Sequence, residues 1–163
     1  MKVLITSLAL TLSALAGHAQ AHGDATQAKK QAVAPHKAAQ QTFGIAGDPK
    51  KVARSIVFDM SDEMRFDPSR IKVRRGETLR FVANNRGRIM HEMVLGTMKD
   101  LEEHAALMKK FPGMEHDEPH MTHVPPGETG EIVWRFNRPG VFNFACLIAG
   151  HMEAGMVGTI TVE

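Results

Sequence analysis

One cysteine in 163 residues excludes an internal disulfide. Cys146 must therefore be free, intermolecular or bound to a metal. Tyrosine is absent and tryptophan occurs once. Basic and acidic residues nearly cancel, leaving a formal charge of +2, so there is no cationic excess of the kind that holds a nucleic acid. Beyond the first residues, no apolar run approaches the ~20 residues that a membrane-spanning helix needs.

The first residues read as an export signal. Lys2 gives a positive start, residues 3–15 are mostly apolar, and Ala19-Gln20-Ala21 fits the small-x-small rule for cleavage. Residues 1–21 are thus expected to be removed after Ala21, leaving His22 as the first residue of a periplasmic protein. An amino-terminal His can chelate a metal ion through its amine and ring together, although chain ends are usually frayed. Residues 22–52 are rich in Ala, Gln and Lys, with little that offsets ordering entropy. They are expected to be mobile, with Gly44, Gly47 and Pro49 closing the segment. Residues 53–163 have the length of one domain with one core.

Within that domain the pattern is one of short alternating runs. Ile56, Phe58 and Met60 share a face, as do Ile71 and Val73, then Leu79, Phe81 and Ala83. Met90 to Leu95 is a short apolar run carrying His91. Ile132, Trp134 and Phe136 alternate, and so do Phe142, Phe144 and Cys146; a last strand spans 157–162. Strands with turn signals at short spacing predict an all-β antiparallel sandwich with Greek-key connections. Residues 98–110 break the rhythm. Leu101, His104, Ala105 and Met108 form a stripe at helical spacing, which predicts a helix packed on the sandwich.

Eleven methionines and nine histidines tilt the composition toward soft metal donors, although Met also fills cores. The decisive cluster is FACLIAGHMEAGM, in which Cys146, His151 and Met156 follow one another at five-residue steps. Alternation puts Cys146 on the inward face with Phe142 and Phe144. The Gly150, Gly155 and Gly158 positions suit a tight reversal. With His91 from another strand, the donors are one thiolate, two imidazoles and one thioether. That set suits a copper ion cycling between Cu(I) and Cu(II). Zinc fits less well, because Met is a poor zinc ligand and structural zinc sites favour several thiolates. A Cys146 nucleophile with His151 or His91 as base is the other chemical reading. It is disfavoured by the inward thiol and by the lack of an oxyanion loop before it.

Over 53–163 the chain resembles the cupredoxins, the blue-copper sandwiches. The resemblance is carried by the His91 strand, the PGVFNFAC run into Cys146, and then His151 and Met156. It implies that these four residues are the ligands of a single type 1 copper. The stretch HEMVLGTMKDLEEHAALMKKFPGMEHDEPHMTHVPPGETGEIVW looks closer to periplasmic cupredoxins of copper tolerance, in which a helix and a Met/His-rich loop follow the first ligand strand. One position departs from the pattern. Cupredoxins usually carry Asn or Ser after the first histidine ligand, and this chain has Glu92. A carboxylate there either stabilises Cu(II) beside the site or points to solvent in a salt bridge. Copper oxidases and nitrite reductases of this family need a second copper centre and usually further domains, so one domain reads as a carrier rather than an enzyme. Oxidation of Cu(I) is the one reaction left open.

Met114, His116, His120, Met121 and His123 place five donors in ten residues. They form a candidate second, weaker copper site, against the alternative of a solvated loop. The expected function is a redox-active periplasmic copper protein of copper tolerance; the alternative is a soluble one-electron carrier between a reductase and an oxidase. A redox partner would dock near His151, which is flanked by Ala149, Gly150, Met152 and Ala154. The protein is read as a monomer.

Overall fold

Alternation in the sequence becomes two stacked sheets in the computed structural model, which describes residues 39–112 and 116–163. The expected export signal, its cleavage point, His22 and Met114 lie outside the described residues. One sheet runs β1 (Ile45–Ala46), β8 (Thr129–Arg135), β5 (Thr78–Asn85), β2 (Arg54–Ser61), β3 (Arg65–Asp67). The other runs β4 (Arg70–Val73), β10 (Val157–Val162), β9 (Gly140–Ala145), β6 (His91–Gly96), β7 (Met121–Val124).

The inward residues of both sheets meet in one core. Phe58 and Phe81 stack at 5.4 Å from the first sheet, and Phe144 from the second meets Phe58 edge-on at 5.1 Å. Such rings each contribute roughly 1.5–3 kcal/mol of burial. Gly158 belongs to this packing rather than to a loop reversal. It lies in β10 opposite Phe144, whose ring would sit 2.0 Å from a Cβ at that position.

Two pairings depart from the antiparallel expectation. β2 and β5 run parallel, as do β4 and β10. β4 crosses to the second sheet between β3 and β5, so the chain returns to β2 in the same direction. Local periodicity carries no information about such a partner.

The predicted helix is present as α1 (Met98–Lys110), opened by a reciprocal capping box between Thr97 and Asp100. Leu101 and Ala105 are its buried face. The helix covers the outer side of β6 and β9, which is why β6 is buried at every position. The end of the segment expected to be mobile is tied to the sandwich. β1 pairs with β8, Phe43 is buried, and its carbonyl accepts the Trp134 indole N–H at 3.1 Å.

Candidate metal centre

His91, Cys146 and His151 converge at one end of the sandwich. One donor atom from each falls within 4.8 Å of the other two, and among the described residues no other cluster of His, Cys, Asp and Glu does this. His91 is the first residue of β6, and Cys146 follows β9. Period two sends His91, Met93 and Leu95 to the core and Glu92 and Val94 to the opposite face. The same rule separates Phe144 and Cys146 from Ala145 and Leu147.

The β9–β10 ladder closes the ligand loop. Ala145 pairs with Val157, and the Cys146 N–H then donates to the Met156 carbonyl at 3.1 Å. Met156 is fully buried in the core. Its N–H bonds the His151 carbonyl at 3.0 Å, and the His151 N–H bonds that of Ile148 at 2.9 Å. Gly150 and Gly155, with φ of 90° and 100°, make the turns between them. Arg65 reaches across from β3 to the Ala154 carbonyl at 2.8 Å. His151 Nδ1 lies 3.3 Å from the Cys146 sulfur, and the two imidazole rings are 5.1 Å apart.

The electrostatics suit a metal. Burial pushes the Cys146 thiol up to about 12, despite backbone N–H groups of Glu92 and Ile148 near the sulfur. The thiolate therefore needs a cation to displace its proton. Burial also lowers the pKa of His91 and of His151, so both rings are neutral and able to ligate. Neither ring nitrogen of the fully buried His91 has a hydrogen-bond partner among the described residues. A fully buried ring with nothing bonded to it is costly. A metal on one of its nitrogens resolves part of that cost, so the donor set fits a copper ion.

Glu92 does not point to solvent, the second of the two courses expected for it. It is 1% exposed. Its Oε1 accepts the Leu147 N–H at 2.7 Å, and its Oε2 lies 3.1 Å from His123 Nε2. Its own N–H points at the Cys146 sulfur at 3.4 Å. Glu92 thus ties the Cys146 loop to β7. Burial raises its carboxyl above the usual range, opposed by the Leu147 N–H and by His123 and His116. The sequence holds no local sign of this, because the two partners are 55 and 31 positions away. Asn85 was missed in the same way. It is buried, donates to the Ile89 and Val124 carbonyls at 2.7 and 2.9 Å, and accepts the Gly87 N–H.

Of the five donors of 114–123, the four described ones do not share one place. His116 and His123 line a cleft of ≈ 690 Å³ with Met90, Glu92, Met108 and Ile148. His116 Nδ1 is buried without a hydrogen-bond partner among the described residues, and its ring is 4.9 Å from that of His104 on α1. Met121 instead packs with Leu101 and Ala105 between helix and sheet. His120 packs edge-on to Phe43 and Trp134 at 5.5 and 5.9 Å. Residues 121–124 form strand β7 rather than a loop; Met121 and His123 share its outer face two residues apart, one opposite Val94 under α1 and the other opposite Glu92, while His120 before the strand turns to Phe43 and Trp134.

The pattern described as "Copper binding proteins, plastocyanin/azurin family" matches residues 52–163. The chain belongs to that family. Among its relatives is the copper-resistant cuproprotein CopI of Rubrivivax gelatinosus, 50% identical over 155 residues, covering 95% of this chain and 90% of the relative. A protein of the same name from Pseudomonas aeruginosa is 33% identical, covering 76% and 83%. Among solved structures, auracyanin B superposes with a TM-score of 0.61 at 21% identity, covering 74% of this chain and 96% of auracyanin B. The dithionite-reduced auracyanin of Roseiflexus castenholzii gives 0.59 at 20%, covering 69% and 98%. These two likenesses establish the cupredoxin fold.

Proposed function

We propose that this family member is an exported, periplasmic copper-tolerance protein with one type 1 copper held by His91, Cys146, His151 and Met156. The convergence of His91, Cys146 and His151 within 4.8 Å carries the reading. The CopI relatives, copper-resistant by name, supply the physiological side of it. Copper bound there supplies a one-electron couple. The chain's part is to keep the ligands where they are in either oxidation state. β6 and the β9–β10 ladder fix three of the four positions, and burial excludes water from the sulfur.

His116 and His123, with Met114 nearby in sequence, form the proposed second and weaker copper site in the cleft beside Glu92. A second reading, a soluble one-electron carrier, uses the same centre. It is favoured by the partial exposure of His151 and by exposed Ile89 and Met90 next to His91, which let a partner approach.

Adding Cu(II) to the purified protein should produce a thiolate-to-copper charge-transfer band. A colourless protein with a freely alkylated thiol overturns the type 1 reading. Deleting the gene separates the two roles. Copper-sensitive growth with normal respiration supports tolerance, and lost respiratory flux without copper sensitivity supports the carrier.

A further inference from the structure

The loop that delivers His91 is folded around a carboxylate from another part of the chain. Asp62 lies just past β2, in the turn before β3. Its two oxygens accept the Arg88 N–H at 3.0 and 2.9 Å, and Oδ1 also takes a long bond from the Ile89 N–H at 3.4 Å. Residue 87 must be glycine for this approach, because a Cβ there would lie 1.9 Å from Asp62 Oδ1. Two neighbouring contacts hold the same loop to β2. The Arg86 N–H bonds the Met60 carbonyl at 2.8 Å, and its guanidinium meets Asp59 at 3.1 Å.

The remaining direction of the Asp62 carboxylate is toward the metal ligand. Oδ1 lies 3.5 Å from His91 Nε2, just beyond hydrogen-bond length. Nε2 has no hydrogen-bond partner among the described residues, although His91 is fully buried. Nε2 therefore faces Asp62, which leaves Nδ1 as the nitrogen on the side of Cys146 and His151. A ligating imidazole commonly donates its other N–H to a carboxylate, which fixes the tautomer, aims the ring and makes the ligand more basic.

We propose that Asp62 is a positioning residue for the copper centre, taking the outer N–H of His91 so that Nδ1 is presented to the metal. The inference rests on the type 1 reading for its effect on copper, but not for its effect on the ring. A more basic His91 favours Cu(II) over Cu(I). Asp62 thus lowers the potential of the centre, and it does so from outside the ligand set.

The test uses the mature protein and three variants. Asp62→Asn keeps an oxygen for the Arg88 N–H and removes the charge. It should weaken Cu(II) binding about 10- to 100-fold while affecting Cu(I) less. A tenfold loss confined to Cu(II) raises the potential by about 59 mV. Asp59→Asn is the control, because it removes a charge three residues away that bonds Asn84 and Arg86 but not His91. It loosens one tie on the loop without touching the ring, so it should shift the potential far less than Asp62→Asn and leave the His91 tautomer unchanged. Gly87→Ala displaces the carboxylate without altering it and should shift the potential in the same direction as Asp62→Asn, which keeps the test open if that variant folds poorly. Nitrogen NMR of the metal-free protein should show the Nε2–H tautomer of His91, mixed or inverted in Asp62→Asn. Equal potentials in wild type and Asp62→Asn, or equal shifts in both Asn variants, overturn the proposal. So does an unchanged tautomer. If the wild type takes up no copper, the type 1 reading falls, and the tautomer alone decides on Asp62.

Discussion

Two stretches of this chain are rich in soft donors, and only one brings them to a point. In residues 146–156 the spacing of Cys and His is converted to proximity, and a hydrogen-bonded ladder closes behind them by holding the Met156 backbone to that of Cys146. In residues 116–123 a comparable density of His and Met is dispersed, with Met121 under α1, His120 against Phe43 and Trp134, and His123 against Glu92. Donor density is therefore a weak guide. What matters is whether the backbone aims successive side chains at one place.

The comparison breaks most sharply at the thiol. Cys146→Ser should abolish the charge-transfer band altogether, and copper titration of that variant then reads the cleft alone. Retained weak binding supports a second site at His116 and His123, and none removes it. At Met121 the expected effect is the reverse. Met121→Ala should cost about 2–5 kcal/mol of stability in denaturant melts, with copper colour intact in the folded protein. A bleached variant with unchanged stability would mean that Met121 is a ligand after all.

Glu92 joins the two regions, so its variants sharpen the contrast. Glu92→Ala strands the Leu147 N–H beside the copper loop, and loss of such a charge-assisted bond costs about 1.5–3 kcal/mol. Glu92→Gln keeps an acceptor for Leu147 and should recover most of that loss. Thermal melts of the metal-free protein measure both.

Acidity gives a further distinction. The thiol titrates at about 12, so it is protonated between pH 7 and 9. The two histidines, their pKa values lowered by burial, are already neutral there. Copper uptake at the thiol centre should then release one proton, and affinity should rise about tenfold, or 1.36 kcal/mol, per pH unit. The cleft is lined by no thiol, so copper bound there displaces no thiol proton. Potentiometric titration during copper addition reads the released proton.

The smallest effect is expected at the start of β5, remote from the His91 end. Arg54 holds the Glu77 carboxyl below its usual range. A lowered folded pKa means the contribution is present above the unfolded value near 4 and is lost as pH falls through the folded one. Glu77→Gln should cost under about 1 kcal/mol at pH 7, with the difference from wild type fading in melts below pH 4.

The sequence was legible wherever one short stretch decides the outcome. The inward phase of Cys146, the 98–110 helix and the alternating faces of β2, β5 and β8 all follow from the period of the apolar residues. It was silent where the deciding partner is distant. The parallel pairing of β2 with β5 depends on a crossover, not on any residue in either strand. For Glu92 the sequence leaves a place beside the metal and a place in solvent equally open, until Leu147 and His123 are seen to flank it. Asp62 has the same history, since its carboxylate is meaningful only beside a loop 26 residues later. Strand β7 was hidden by its own polarity. Thr122 and His123 look like loop residues, and pairing with β6 overrides that preference.

The indole of Trp134 has a practical consequence. With no tyrosine and one tryptophan, the protein carries a single dominant emitter, stacked on Phe43 at 5.1 Å and bonded to its carbonyl. Its fluorescence is an optical gauge of whether residues 40–46 remain docked on the sheet. Proteolytic removal of that stretch should red-shift the emission as the ring meets water.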